Sequence, residues 1–184
     1  IEKGDINKNL IKIILQRTGR NINVKDHMKR FVLDLKYHNN EQLDSLCRML
    51  EIDIEHFLGK ERPYLTSNEI NELISQGFHI GAHSFDHPDF FMIDPGQQSQ
   101  EIKRSIIDVR KRFALDYSFF AFPFTDYGVK YEILDSVHHE NSLKPFASFG
   151  TSGIAADLNI AHYQRLSMEK YKGSSEQIIT AEYL

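Results

Sequence analysis

The chain of 184 residues carries a net charge of −4, from 22 Lys and Arg against 26 Asp and Glu, and is 41% hydrophobic. That length holds one domain with a real core, or most of a larger one. The acidic balance leaves no basic stripe for nucleic acid, and no apolar run approaches the ~20 residues that a membrane helix needs.

The lone cysteine, Cys47, has no internal disulfide partner. Leu43, Leu46 and Leu50 around it mark it as a buried helical thiol. The sequence opens at Ile1 without a methionine or a signal-like run, which reads as a piece of a longer chain. Nothing in it gives the compartment.

In chain order, residues 1–62 read as a helical segment. Leu10, Ile13 and Ile14, then Met28, Phe31, Val32 and Leu35, then Leu43, Leu46, Cys47 and Leu50 follow the three-and-four spacing of amphipathic helices. Gly19 and Asn39-Asn40 are the breaks. Residues 63–184 have a different texture. Thr66-Ser67-Asn68-Glu69 has the form of a capping box, Ile70, Leu73 and Ile74 supply a stripe, and Gly77 suits the end of that helix. Phe78–Ala82 reads as a short strand that delivers His83. A helix with Ile102, Ile106, Val109 and Phe113 then leads to an aromatic strand, Tyr117–Phe124. A helix around Ile133, Leu134 and Val137 leads to a strand at Phe146–Phe149, and a last helix carries Ile178, Ile179 and Tyr183. Alternating helix and strand predicts an α/β fold with parallel strands.

The chemistry concentrates in Ile80-Gly81-Ala82-His83-Ser84-Phe85-Asp86-His87-Pro88. Two imidazoles four residues apart face one point if the chain makes a single turn after a strand, and neutral imidazole suits zinc and similar metals. A helical zinc-protease motif needs Glu directly after the first His; Ser84 stands there instead. On spacing alone, His83 and His87 read equally well as two ordinary loop histidines among nine.

The stretch resembles the second motif of the polysaccharide deacetylases of the NodB-homology type, carbohydrate esterase family four: His-Ser/Thr-x-x-His between Ile-Gly and Pro. Phe120-Ala121-Phe122-Pro123-Phe124-Thr125-Asp126-Tyr127-Gly128 is similar to the third motif. Ala147–Gly153 and Gln164–Glu169 resemble, more loosely, the branch found among cell-surface polysaccharide genes. The resemblance is good from Tyr64 to Gly128, fair from Phe146 onward and absent over residues 1–60.

The resemblance implies an incomplete, distorted (β/α) barrel of the deacetylase type and a metal-dependent hydrolase that removes acetyl groups from a polysaccharide or cell-surface glycan, by amide C–N hydrolysis. It implies a divalent cofactor, zinc, held by His83 and His87 with an aspartate, and an acetylated glycan as partner. Phe124 would supply a backbone N–H to the oxyanion, and Phe122, Pro123 and Asp126 would line the substrate pocket, with strand core as an equal reading for Phe122. Arg165 would orient the base aspartate, or is a surface arginine.

There are departures from the family pattern. The family's first motif, Thr-Phe-Asp-Asp, has no counterpart, since the chain contains no adjacent Asp pair. Asp34 stands at a suitable distance before His83, but among helical neighbours, so the Asp pair is expected upstream of Ile1 and the chain alone is expected to be inactive. Ala121 replaces an arginine that many members carry, and the late Leu-x-His general-acid motif is missing. His162 is a local candidate for that acid, although it reads more simply as a loop histidine. Two rival readings remain: a catalytically silent glycan-binding relative, and an unrelated α/β domain with coincidental histidines.

Overall fold

The computed structural model describes residues 24–35, 39–153, 161–166, 168 and 173–183. The expected stripe of Leu10, Ile13 and Ile14 lies outside them. The chain divides into two compact units, Ile1–Leu65 and Thr66–Leu184.

The first unit is helical over its described part: α1 (Val24–Asp34), α2 (Asn40–Met49) and α3 (Ile54–Glu61). Leu46 is its buried centre, with Phe31, Val32, Leu35 and Leu50 packed against it. These are residues of the second and third expected stripes, which pack against each other. Cys47 is half-buried, one position off the Leu46 line. Asp34, at the end of α1, is exposed.

The second unit begins with α4 (Ser67–Ser75), whose capping box is formed as the sequence predicts. The Thr66 N–H donates to the Glu69 carboxylate at 2.7 Å, and the Glu69 N–H donates back to the Thr66 hydroxyl at 3.3 Å. Then follow α5 (Pro95–Phe113), β1 (Ser118–Ala121), α6 (Tyr131–His138), β2 (Phe146–Gly150), β3 (His162–Gln164) and α7 (Ser175–Tyr183). The strands form one parallel sheet in the order β1-β2-β3. Parallel neighbours joined through helices are the layout that the alternating pattern predicts.

Two elements differ from the sequence expectation. Phe78–Ala82 is not a full strand, because only Ala82 pairs with β1. Its N–H donates to Phe119 O at 2.7 Å and its carbonyl accepts from Ala121 N at 2.9 Å. The Ile80 N–H goes instead to the Tyr117 hydroxyl at 3.1 Å, so the ladder stops there. His162, expected in a loop, is the first residue of β3 and is buried. A three-residue strand is too short to leave a readable alternation.

The core fills the face of the sheet that meets the helices. Phe120 and Phe122 pack with Ile102 and Ile106 of α5, Leu134 and Val137 of α6, Phe90 and Leu143. Gln98 is the buried polar exception. Its amide reaches Phe90 O at 2.7 Å, Gly128 O at 3.3 Å and Ile93 O at 3.4 Å, which ties the 90–93 turn to the loop after β1. Its Oε1 has no partner among the described residues, an arrangement that costs about 1–3 kcal/mol.

Gly81 lies close against the backbone of β1. A Cβ there would stand 2.9 Å from both Phe119 Cβ and Phe119 O. Gly81→Ala is therefore expected to lower stability by about 1–3 kcal/mol, seen as an earlier urea midpoint. An unchanged midpoint would mean that this segment does not bear on β1 as described.

Candidate active site

His83 follows the single paired residue Ala82, so the bridge to β1 places it at the sheet's C-terminal rim. Its Nδ1 lies 2.7 Å from Ala121 O. A carbonyl only accepts, so Nδ1 carries the proton and Nε2 presents a bare lone pair. Burial, offset in part by that hydrogen bond, holds His83 below the ordinary imidazole value, so the ring is neutral at neutral pH. His87 Nε2 stands 3.2 Å from His83 Nε2. Two nitrogens ~2.0–2.1 Å from one tetrahedral ion are about 3.3 Å apart, so the pair fits a shared divalent cation. The same separation also suits an N–H···N hydrogen bond. Among the described residues no group of three His, Cys, Asp or Glu side chains converges as a metal site.

The loop that carries the pair is strained and anchored. Among the described residues, six non-glycine residues have positive φ. Glu51, Arg62 and Ala114 lie at or just past helix ends, where the left-handed conformation is routine. The other three, Ser84, His87 and Phe124, gather at the site, and such strain persists only where the surroundings enforce it. The Ser84 hydroxyl accepts from His87 N at 3.0 Å. The Glu101 carboxylate on α5 accepts from Phe85 N at 2.9 Å and Asp86 N at 3.0 Å. Arg104, one turn on, lies 3.7 Å from the Phe85 ring centroid, a cation–π contact. Neither Glu101 nor Arg104 stands out in the sequence, because single charges on an amphipathic helix read as a solvated face.

The third-motif residues separate into different places. Phe124 is exposed, its ring meets His87 edge-on at 4.9 Å, and its backbone N–H has no acceptor among the described residues. Phe122 has 0% of its surface exposed, and Pro123 is fully buried. Neither touches solvent, so neither lines a pocket in this structure; the strand-core reading of Phe122 is the one that fits its position.

Asp126 is a clamp inside the rim. Its carboxylate accepts from Thr151 N at 3.1 Å, His162 Nε2 at 3.1 Å and Gln164 Nε2 at 2.9 Å. Burial pushes this carboxyl up, but the hydrogen bonds from His162, Gln164 and Thr151 outweigh it and hold the group well below the usual carboxylate range. His162 Nδ1 in turn lies 2.7 Å from the Ser148 hydroxyl, which His138 Nε2 meets at 3.1 Å. Thr151 extends the clamp to the site by donating its hydroxyl to Phe124 O at 3.1 Å.

Arg165 reaches the same rim. It donates to Gly150 O at 3.0 Å and Phe122 O at 2.9 Å, and its charge is felt at His83. The described residues give its guanidinium no carboxylate partner.

A histidine pair at the C-terminal rim of a small parallel sheet defines an α/β protein with its candidate site on the loops at that rim. The family comparison matches polysaccharide deacetylase over residues 30–139, more than half of the chain, and the chain belongs to that family. The match begins inside the helical unit, ahead of the Tyr64 at which the motifs alone start. No curated protein and no solved structure matches the chain. Membership places the chemistry in the hydrolase class, with a glycan as substrate, in a family that is generally metal-dependent. No helix among the described residues is long and apolar enough to cross a membrane.

The polar layer behind the rim predicts acid sensitivity. Burial first, and then the charge of nearby His162, push His138 down to about 4. The folded form therefore takes up that proton less readily than the unfolded chain, whose histidines titrate near ~6.5. This contribution is complete above about pH 6.5 and is lost as pH falls toward 4. The depressed Asp126 carboxyl adds a second loss below about pH 4. The melting temperature should fall in two stages between pH 7 and 3. His138→Gln should flatten the upper stage only in part, because His83 is depressed as well.

Proposed function

We propose that the chain works in a metal-dependent hydrolase that removes acetyl groups from a polysaccharide, by hydrolysis of an acetamide C–N bond, and that His83 and His87 hold the metal. The observation that carries this reading is the 3.2 Å approach of the two Nε2 atoms, with His83 fixed by Ala121 O as the tautomer whose Nε2 is free. Zinc suits an imidazole and carboxylate ligand set. When bound, such an ion polarises the acetyl carbonyl and lowers the pKa of a bound water to about 7.

The chain's own residues have supporting roles in this proposal. Phe124, held in its left-handed conformation and bonded through its carbonyl to Thr151, offers a backbone N–H to the oxygen that gains charge. Arg165 keeps a guanidinium beside His83, where a base carboxylate would be oriented. That carboxylate, and the third protein ligand, come from outside the described residues. The sheet belongs to a distorted (β/α) barrel in this reading, with residues 1–62 as a helical insertion. The half-exposed aromatic face of Phe119, Phe149 and Tyr163 supports the barrel, since it is the face that barrel closure would cover.

A second reading is a catalytically silent glycan-binding relative. It is favoured by one observation: no third ligating side chain joins the pair among the described residues.

Acetate release from an acetylated chitooligosaccharide, with zinc or cobalt present, separates the two. The chain alone should be inactive, and the gene product extended upstream should be active. In the extended protein, His83→Ala or His87→Ala should lower the rate at least about a hundredfold. Robust release by residues 1–184 alone, abolished by His83→Ala, would mean that a carboxylate inside this sequence completes the site, with Asp34 and Asp86 the ones to mutate next. An extended protein that binds the oligosaccharide but releases no acetate would support the silent relative.

A further inference from the structure

Two large aromatic side chains stand in solvent beside the histidine loop. Phe91 is 59% exposed and Tyr127 is 71% exposed, and their rings stack at 5.5 Å with 29° between planes. Both belong to the loops that make the candidate site. Phe91 follows His87 by four residues, and Tyr127 follows Phe124 by three. The two loops therefore meet twice through rings, at His87 and Phe124 and again at Phe91 and Tyr127.

The fold sacrifices stability to hold this second contact. Gly128 has φ +84°, and a Cβ there would stand 2.9 Å from the Phe91 ring, so only glycine lets Phe91 lie where it does. Beneath it, buried Gln98 binds the carbonyls of Phe90, Ile93 and Gly128 while its own Oε1 has no partner among the described residues. Asp89 caps the short turn by accepting from Phe91 N at 3.2 Å. An exposed aromatic pair gains little from such support unless something binds on it.

Resting on the deacetylase reading above, we propose that Phe91 and Tyr127 form a platform for a pyranose ring of the glycan, a subsite next to the unit that carries the reacting acetyl group. A polymeric substrate extends past the reacting sugar, and the platform lies on the same two loops that hold His87 and Phe124. The apolar C–H face of a pyranose matches a flat aromatic surface, and the rim of the rings remains open to the sugar hydroxyls. Prior stacking of the two rings fixes the surface before the sugar arrives, which reduces the ordering lost on binding.

The test is calorimetric titration of N-acetylchitotetraose into the chain with EDTA present, so that binding is read without turnover. Phe91→Ala with Tyr127→Ala should weaken binding about tenfold or more. Exchanging the rings, Phe91→Tyr with Tyr127→Phe, should restore it, because both flat surfaces return. Wild-type affinity in the double alanine variant, or no saturable binding by the wild type, would overturn the platform. Acetate release by the extended gene product is measured separately. Release without any loss of affinity in the double alanine variant would overturn the platform and leave the deacetylase reading standing. Ring-dependent binding without release would support the platform and count against the deacetylase reading.

Discussion

The hydrogen bond from His83 Nδ1 to Ala121 O, 2.7 Å long, fixes the candidate site to the sheet. It joins the residue after the lone bridge at Ala82 to the last residue of β1, and so sets where the histidine loop leaves the rim. It also settles which nitrogen of His83 is protonated, leaving Nε2 directed at His87. The remainder of the site is built to keep this geometry. Glu101 holds the loop's backbone from α5, Ser84 turns it back by accepting from His87 N, and the Phe124 ring closes one side.

Behind the rim, a buried polar layer takes the place of a purely apolar one. His138, Ser148, His162 and Asp126 form a continuous hydrogen-bonded line, and Asp126 holds the ends of β2 and β3 against the loop after β1. Every bond in that line is charge-assisted or made in low dielectric, where it is strong when complete and costly when broken. Asp126 thus has a structural part, its carboxylate accepting from three of the protein's own donors. It connects to the candidate site through Thr151, whose hydroxyl donates to the carbonyl of Phe124, the residue whose ring meets His87.

The local pattern of the chain was readable where it was long and regular. The stripe of α5, with Ile102 and Ile106 now fully buried, and the Thr66 to Glu69 box were evident in spacing alone. The approach of His83 and His87 was one of two equal readings on spacing alone, and the resemblance of the surrounding motif favoured it. The failures share one physical cause, since they depend on contacts distant in sequence. The Ile80 N–H is taken by Tyr117, 37 residues on, so the expected strand keeps a single bridge. His162 looks like a loop residue until Ser148 and Asp126 give it a buried place in β3. For Phe122, pocket and strand core were equal readings in the sequence, and the core partners Phe90 and Phe120 turn it inward. Gln98 gave no sequence signal, because its role exists only once two loops stand above it.

Membership of the polysaccharide deacetylase family rests on residues 30–139, and the geometry of the histidine pair on two side chains within them. They meet on the claim that one divalent ion sits between those rings. Anomalous diffraction at the zinc edge from zinc-soaked crystals tests it most directly. The account predicts a single strong peak within ~2.0–2.1 Å of both His83 Nε2 and His87 Nε2, with His83 Nδ1 still bonded to Ala121 O. An absent peak, or zinc bound elsewhere while the two Nε2 atoms share a hydrogen bond, would contradict it.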